Sequence, residues 1–201
     1  MSDFNNKSKT AYNKKADDYD NTRDGQFTQK FKRLLVENIV LTDYSNVLDV
    51  ACGNGSLLSL LNKQKHINGY GVDISDQMIK NAAVKNPGME FHVSGCESMP
   101  FGNEMMDLIT VSAAYHHFPD VTAFAKESKR ILKPKGKIYI AEIYLPSFWR
   151  LIFNPFVPLS KEGDVKFYSP NEIVNNFKQF GFEKVNVQII DNIQIVSMKK
   201  L

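Results

Sequence analysis

The stretch Asn46–Leu61, NVLDVACGNGSLLSLL, decides the fold of this chain. It begins with a short apolar run that is typical of a strand buried on both faces, and it ends with leucines at helical spacing. Between the two, Gly53 and Gly55 keep side chains off the turn, so a ligand can lie against backbone N–H groups at the positive end of the helix. The stretch therefore predicts a ligand site at a strand-to-helix turn.

Two kinds of ligand compete for such a turn. The dinucleotide fingerprint needs a third glycine, and that position is Leu58 here. The strand also ends near an acid, Asp49, which would repel a pyrophosphate and attract an ammonium group. A ligand with a cationic amino-acid tail is favoured over a nicotinamide dinucleotide, and an oxidoreductase remains the less favoured alternative.

The segment Asp49–Gly55, DVACGNG, resembles motif I of the class I S-adenosylmethionine-dependent methyltransferases, close to the subgroup of the ubiquinone and menaquinone biosynthesis methyltransferases. The resemblance implies an α/β, Rossmann-like fold with a seven-stranded sheet in the order 3-2-1-4-5-7-6. Strand 7 is expected to be antiparallel, with helices on both faces. The implied cofactor is S-adenosyl-L-methionine, the product S-adenosyl-L-homocysteine, and the acceptor a small molecule.

The resemblance also implies a set of cofactor contacts. Asp73 lies eighteen residues beyond Gly55, close to the spacing of an acid that binds ribose hydroxyls. An early Tyr19-Asp20 element resembles a lid, in which Tyr19 would pack on the methionine portion and Arg23 would meet its carboxylate. The full set of expected cofactor-binding residues is Tyr19, Arg23, Asp49, Ala51, Gly53, Asn54, Gly55, Asp73, Ile74, Met78, Gly95, Cys96, Glu97, Ser112 and His117.

One position departs from the family pattern. The usual loop is Gly-Asp-Ala-Glu-x-Leu-Pro-Phe, and its Asp, which accepts a hydrogen bond from the adenine amine, aligns on Gly95. The backbone N–H of Cys96 can still donate to the ring. Losing one such hydrogen bond typically costs about 0.5–1.5 kcal/mol, so cofactor binding is expected to survive.

Paired histidines follow the fourth predicted strand, in a segment that resembles a further family motif. His116 is the candidate general base, since its unperturbed pKa of about 6.5 suits proton removal near neutral pH. Alternatively, both His116 and His117 pack the loop and hold the methionine end of the cofactor. Adjacent histidines point in different directions and no carboxylate or cysteine stands nearby at ligand spacing, so no metal site is expected.

Size, charge and termini set further limits. With 201 residues the chain is expected to form a single domain, residues 1–201, with residues 1–40 as an N-terminal arm and helix. The formal net charge is +3 without a clustered Lys/Arg run, so no nucleic-acid partner is expected. The polar N-terminus and the absence of a long apolar run predict a cytoplasmic protein without a membrane span. Gly25 is expected to end the arm, and Lys32 to lie on the solvated side of the helix that follows.

The segment 146–170 is the part that the scaffold explains least. Its favoured interpretation is a lid over the acceptor site, formed by 146–170. The alternatives are an amphipathic patch at 146–158 that touches a membrane surface or partner, and core packing. Its aromatic residues point to an aromatic or apolar acceptor. The favoured function is methyl transfer to a small molecule, and the alternative is a non-catalytic sensor or partner subunit that binds the cofactor.

Overall fold

The computed structural model describes residues 3–201, and its centre is a seven-stranded sheet in the order 3-2-1-4-5-7-6. The strands are β1 (Ser45–Val50), β2 (Ile67–Asp73), β3 (Glu90–Val93), β4 (Met106–Ser112), β5 (Leu132–Ile143), β6 (Phe182–Ile190) and β7 (Ile193–Lys200). Strands β1 to β5 pair in parallel, whereas β7 is antiparallel to both β5 and β6. The predicted sheet order and direction are confirmed.

Helices cover both faces of this sheet, as predicted. The helices of the described chain are α1 (Asp3–Lys15), α2 (Arg23–Asn38), α3 (Ser56–Gln64), α4 (Asp76–Lys85), α5 (Val121–Ile131), α6 (Ser147–Phe153) and α7 (Pro170–Lys178). On one face Phe31 of α2 and Leu57 of α3 pack on Val47. On the other face Phe124 of α5 and Phe177 of α7 pack on Leu48. The alternation of Val47 and Leu48 explains why β1 is apolar at both positions.

The N-terminal region differs from its prediction in where the second helix begins. Residues 3–15 form a helix, α1, within the predicted arm, and the next helix, which the apolar spacing predicts from Gln26, begins at Arg23. Gly25 does not end the arm: it lies in the first turn of α2, where a Cβ would stand 1.8 Å from the backbone oxygen of Tyr19. A glycine is needed because the two backbones touch. Met1 and Ser2, the first residues of the predicted arm, lie outside the described part of the chain.

Strand β5, which lies between β4 and β7, begins earlier than its sequence predicts. Pro134 and Gly136 predict a break between α5 and a strand that starts at Lys137, but β5 starts at Leu132, directly after α5. Leu132 already pairs with Met106, and the register shifts before β4 and β5 continue. The proline and glycine therefore lie within a strand irregularity, where a missing N–H is tolerated.

The first half of the segment 146–170 lies at the surface. It contains α6 and a short 3-10 helix, Val157–Leu159, and none of the residues of these two helices is buried. Of the three interpretations, core packing is therefore excluded for this part of the segment. No helix within residues 3–201 combines the length and apolarity needed to cross a bilayer.

Candidate cofactor and acceptor site

A cleft opens at the carboxyl ends of β1, β2 and β4, where parallel strands of this fold type present their loops. Its walls come from the turns after these strands and from α1, α2 and the 3-10 helix between them, Ala16–Asn21. The lining residues are Asn5, Ser8, Tyr12, Tyr19, Thr28, Lys32, Asp49, Val50, Ala51, Cys52, Gly53, Asp73, Ile74, Met78, Ser94, Cys96, Ser112, Ala113, Ala114, His117, Phe118 and Pro119.

The turn after β1 has the geometry that the glycines predict. Ala51, Gly53 and Gly55 all have positive φ, at 57°, 52° and 73°. Only Gly53 faces open space, since the nearest atom to an added Cβ is 4.0 Å away. Gly55 faces away from the cleft, and a Cβ there would stand 2.6 Å from the side-chain nitrogen of Asn86. Gly55 therefore allows close packing against α4, and Gly53 keeps the cleft wall clear.

Asp49 is a carboxylate buried at the base of the cleft, with 2% of its surface exposed. Thr110 Oγ1 donates a hydrogen bond to its Oδ1 at 2.7 Å. Burial raises the pKa of Asp49 to about 7, against the opposing effects of Thr110 and Lys32. A cationic group in the cleft would stabilise the ionised form.

Asp73, at the end of β2, joins two turns of the site. Its Oδ2 accepts a hydrogen bond from the Gly53 N–H at 2.8 Å, and its Oδ1 accepts one from the Ser75 N–H at 2.8 Å. Burial nevertheless raises its pKa. Ser75, not Asp73, caps α4 by accepting from Met78 N, so the carboxylate is not explained by helix capping.

A buried lysine on α2 is the main site residue that sequence reasoning missed. Lys32 is only 7% exposed and lines the cleft, with its Nζ 5.8 Å from the ring centre of Tyr19. Burial lowers its pKa, and the charges of Asp20 and Asp49 oppose that change. Arg23, the predicted partner of the cofactor carboxylate, is exposed and does not line the cleft. The sequence offered little to identify Lys32, because the helical pattern of α2 placed its side chain on the side that faces solvent.

In the loop after β3, the Glu97 side chain lies next to the position where the family acid is missing. A Cβ added to Gly95 would stand 2.7 Å from Oε2 of Glu97. A carboxylate is therefore present beside position 95, although it is supplied by a different residue. Cys96 lies between them, lines the cleft and is buried, and burial together with the Glu97 charge raises the pKa of its thiol. Cys52 lines the same cleft, and both cysteines are free.

The two histidines lie in different positions, although their ring centres are 4.1 Å apart. His117 lines the cleft, and its Nε2 is 3.1 Å from the Tyr12 hydroxyl. His116 lies behind it, and its Nδ1 is 2.9 Å from both oxygens of the fully buried Glu142. Burial alone would lower the pKa of His116, but Glu142 outweighs it and raises the pKa. The candidate base therefore does not face the cleft.

Asp164 approaches both histidines from the segment 146–170. Its Oδ1 is 2.8 Å from His117 Nδ1 and 3.6 Å from His116 Nε2. Burial would raise the pKa of Asp164, but His117 brings it to about 2. Burial and the charge of His116 lower the pKa of His117 despite Asp164. The absence of a nearby carboxylate was the argument against a metal site, and the fold supplies that carboxylate from a distant segment.

The structure brings most of the predicted cofactor residues together. Tyr19, Asp49, Ala51, Gly53, Asp73, Ile74, Met78, Cys96, Ser112 and His117 line the cleft, whereas Arg23, Asn54, Gly55, Gly95, Glu97 and His116 do not. Asn54 instead accepts a hydrogen bond from Ser56 Oγ at 2.6 Å. Sequence reasoning missed Lys32, Tyr12, Thr28, Ser94 and Phe118 as cleft residues. Whether each lining residue contacts a cofactor stays a prediction.

The cleft chemistry fits an amino-acid cofactor with a nucleoside part. Ser112 Oγ lines the cleft, is buried and has no hydrogen-bond partner among the described residues, so it has a free hydroxyl for a ligand. Asp49 and Lys32 offer opposite charges to a zwitterion at one end. Asp73 offers a carboxylate to a diol, and Ile74 and Met78 offer apolar surface to a base.

Comparison with known proteins agrees with this geometry. A family model described as a methyltransferase domain matches residues 48–140. The demethylmenaquinone methyltransferase of Thermotoga maritima is 31% identical, over 77% of this chain and 77% of that protein. A ubiquinone/menaquinone biosynthesis C-methyltransferase UbiE from Rickettsia bellii is 28% identical, over 71% and 70% of the two chains.

The fold agrees with solved structures as well. An S-adenosylmethionine-dependent methyltransferase from Mesorhizobium loti superimposes with a TM-score of 0.71 at 15% identity, over 84% of this chain and 96% of that one. The chain belongs to the class I S-adenosylmethionine-dependent methyltransferases, in the subgroup of the ubiquinone and menaquinone biosynthesis enzymes. It is therefore an enzyme of that class, and the sensor and oxidoreductase alternatives are not supported.

Proposed function

We propose that this enzyme transfers the methyl group of S-adenosyl-L-methionine to a ring carbon of a small hydroxylated aromatic acceptor, such as a hydroquinone. The relatives named above act, by their names, in menaquinone and ubiquinone synthesis. The observation that carries the proposal is one cleft that holds Asp49, Lys32 and Asp73 next to the histidine pair. The expected cofactor residues and the histidine pair therefore lie at the same cleft.

The amino-acid end of the cofactor is assigned to Lys32 and Asp49. Lys32 would bind the carboxylate, in the role first predicted for Arg23, and Asp49 would bind the ammonium. Both groups are buried, so each interaction is stronger than it would be on the surface. Tyr19, packed under Lys32, would close this end from solvent.

The nucleoside end is assigned to the ends of β2 and β3. Asp73 would accept hydrogen bonds from the ribose hydroxyls, and the adenine would lie between Ile74, Met78 and the Cys96 loop. We assign the adenine amine to Glu97, because its carboxylate occupies the space beside Gly95. This substitution would restore the acceptor that the sequence pattern lacks.

The chain's own contribution to the reaction is orientation and proton transfer. The bound cofactor supplies a methyl group already activated by the positive sulfur. The cleft residues hold donor and acceptor in line and exclude water. The acceptor proton leaves at the end of the cleft that holds the histidine pair, where His117 faces the cleft and His116, the predicted base, lies behind it against Glu142.

The exposed apolar surface of 146–158 is assigned to a contact outside the cleft. Its large apolar side chains include Phe148, Trp149, Leu151 and Phe156, and Leu151 is 78% exposed. None of them lines the cleft, so an acceptor lid would require this segment to move. We favour contact with an anionic lipid surface, because exposed Lys161 follows the apolar surface directly.

The direct test is transfer of a labelled methyl group to a panel of hydroquinones, catechols and amines. The expected product carries the label on a ring carbon of a hydroquinone and not on nitrogen. Label on a nitrogen, or binding of the cofactor without transfer to any member of the panel, would overturn the proposal.

A further inference from the structure

His116, His117 and Asp164 form a cluster with the composition of a catalytic metal site. His116 Nε2, His117 Nδ1 and a carboxylate oxygen of Asp164 all lie within 4.8 Å of one another. A tetrahedral ion with ligand distances near 2.1 Å places its ligand atoms about 3.4 Å apart. The observed separations of 2.8 Å and 3.6 Å to Asp164 Oδ1 lie on either side of that value. We propose that these three side chains bind a divalent transition-metal ion at the edge of the cleft.

The geometry around His117 Nδ1 also favours a metal ion at this position. This nitrogen is buried and has no hydrogen-bond partner among the described residues, although Asp164 Oδ1 is 2.8 Å away. The two atoms are close enough to interact, but the angle between them is not that of a well-formed hydrogen bond. A cation between them satisfies both, since the nitrogen lone pair and the carboxylate oxygen then point at a shared positive charge.

The outer partners of both histidines match those of metal ligands. A ligating histidine almost always gives its second ring nitrogen to a carboxylate, carbonyl or similar acceptor, which fixes the tautomer and ring direction. His116 Nδ1 contacts the Glu142 carboxylate at 2.9 Å, and His117 Nε2 contacts the Tyr12 hydroxyl at 3.1 Å. Each ring therefore has its remaining nitrogen available on the side of Asp164.

Charge also favours a cation here. Glu142 is fully buried and Asp164 is mostly enclosed, and both carboxylates face the histidine pair. A divalent ion bound between the histidines and Asp164 would stabilise these carboxylates, and burial makes that stabilisation worth more than it would be in water.

The backbone fixes Asp164 in place. The Val165 N–H donates to the His116 carbonyl oxygen at 2.7 Å, so the segment is tied to the histidine turn. On its other side Gly163 has a φ of 77°, and a Cβ there would stand 2.4 Å from the Phe4 carbonyl oxygen. Three protein ligands on fixed backbone leave a coordination position open, which is the arrangement of catalytic rather than structural sites.

If the function proposed above holds, the open coordination position would bind the acceptor. It would bind the hydroxyl oxygen of the acceptor and lower its pKa, and the O–H proton would pass to water. The electron pair of the ring carbon then forms the new C–CH₃ bond while the S–CH₃ bond breaks with its pair on sulfur. The ring C–H proton leaves to solvent and restores the aromatic ring.

The test is Zn²⁺ binding by chelator-treated protein, measured by calorimetry and equilibrium dialysis. The wild type is expected to bind one ion per chain with submicromolar affinity, and the affinity is expected to fall about 100-fold or more in Asp164→Asn and in His117→Gln. His92→Gln is the matched control, because His92 also contacts a carboxylate, Glu90, but lies at the surface. That variant should bind as the wild type does.

The outcomes separate this inference from the proposed function. Loss of stoichiometric Zn²⁺ binding in Asp164→Asn, with S-adenosylmethionine binding retained, supports the metal site and shows that the variant is folded. No zinc bound by the wild type, or equal binding in Asp164→Asn, overturns it. If the wild type binds zinc but methylates no acceptor, the metal site stands and the proposed function fails. If the wild type methylates an acceptor but binds no zinc, the proposed function stands and the metal site fails.

Discussion

At the scale of residues, Lys32 and Arg23 show how burial decides between two cations. Both lie on α2, but Lys32 is buried in the cleft and Arg23 is exposed. We predict that Lys32→Met weakens S-adenosylmethionine binding about 10- to 100-fold, because it removes a charge-assisted contact of roughly 1.5–3 kcal/mol. Arg23→Met is the control and should bind normally. Calorimetry measures both affinities. A larger loss of affinity in Arg23→Met than in Lys32→Met would contradict the assignment.

Glu97 gives a prediction that depends on one short distance. Its Oε2 lies 2.7 Å from the position that a Cβ on residue 95 would take. Glu97→Ala should weaken S-adenosylmethionine binding about 2- to 10-fold, the value of one hydrogen bond. The double variant Gly95→Asp with Glu97→Ala should recover wild-type affinity, because the space that Glu97 vacates admits the new side chain. Unchanged affinity in Glu97→Ala would show that this carboxylate does not meet the adenine.

Asp49 links the site to stability. Because burial raises its pKa to about 7, the folded state holds a proton between about pH 4 and 7 that the unfolded state releases. Its contribution to the free energy of unfolding therefore falls as pH rises through that window. Asp49→Asn should be more stable than the wild type at pH 8, by roughly 2–4 kcal/mol, with little difference near pH 4.

Urea unfolding at pH 4 and pH 8 measures this difference. Asp43→Asn, which changes a half-exposed carboxylate that pairs with Lys65, is the surface control. A loss of stability in Asp49→Asn at pH 8 would contradict the account. S-adenosylmethionine binding should weaken in the same variant, so function is expected to cost stability at this position.

At the scale of elements, α6 is the helix whose role is most open to test. Trp149 is the only tryptophan of the chain, and it stacks on Phe153 with a ring-centre distance of 5.7 Å. If α6 contacts lipid, the Trp149 emission should shift to the blue when vesicles containing phosphatidylglycerol are added. Replacing exposed Leu151 and Leu159 by serine should abolish the shift. An unchanged wild-type spectrum would exclude this surface as a lipid contact.

The elements were predictable where local pattern and core agree. The apolar runs of β1 and β4, and the Ser169-Pro170-Asn171-Glu172 start of α7, follow rules of burial and capping, and the structure has the capping box there. The predicted starts of α2 and β5 were wrong, because contacts outside the local sequence determine where these two elements begin. Thr22 caps α2 in place of a glycine break, and strand pairing pulls β5 back to Leu132.

At the scale of the whole molecule, the site was predictable only as far as each residue belongs to a recognised turn. Asp49 and Asp73 end adjacent parallel strands, so strand order alone brings them together. No comparable rule of strand order places Lys32 or Asp164 in the site. The periodic pattern of α2 does not show that the loops of the sheet cover Lys32, and Asp164 meets His117 only after the chain between them has formed α5 and β5.

The central claim is that the cleft binds S-adenosylmethionine through the ends of β1 and β2. Calorimetric titration of S-adenosylmethionine, S-adenosylhomocysteine and NADH into the wild type and Asp73→Ala tests it most directly, with thermal melting to show that the variant is folded. The account predicts micromolar binding of both adenosyl ligands, clear weakening in the variant and no binding of NADH. Absence of adenosyl binding by the folded wild type, or equal affinity in Asp73→Ala, would contradict it.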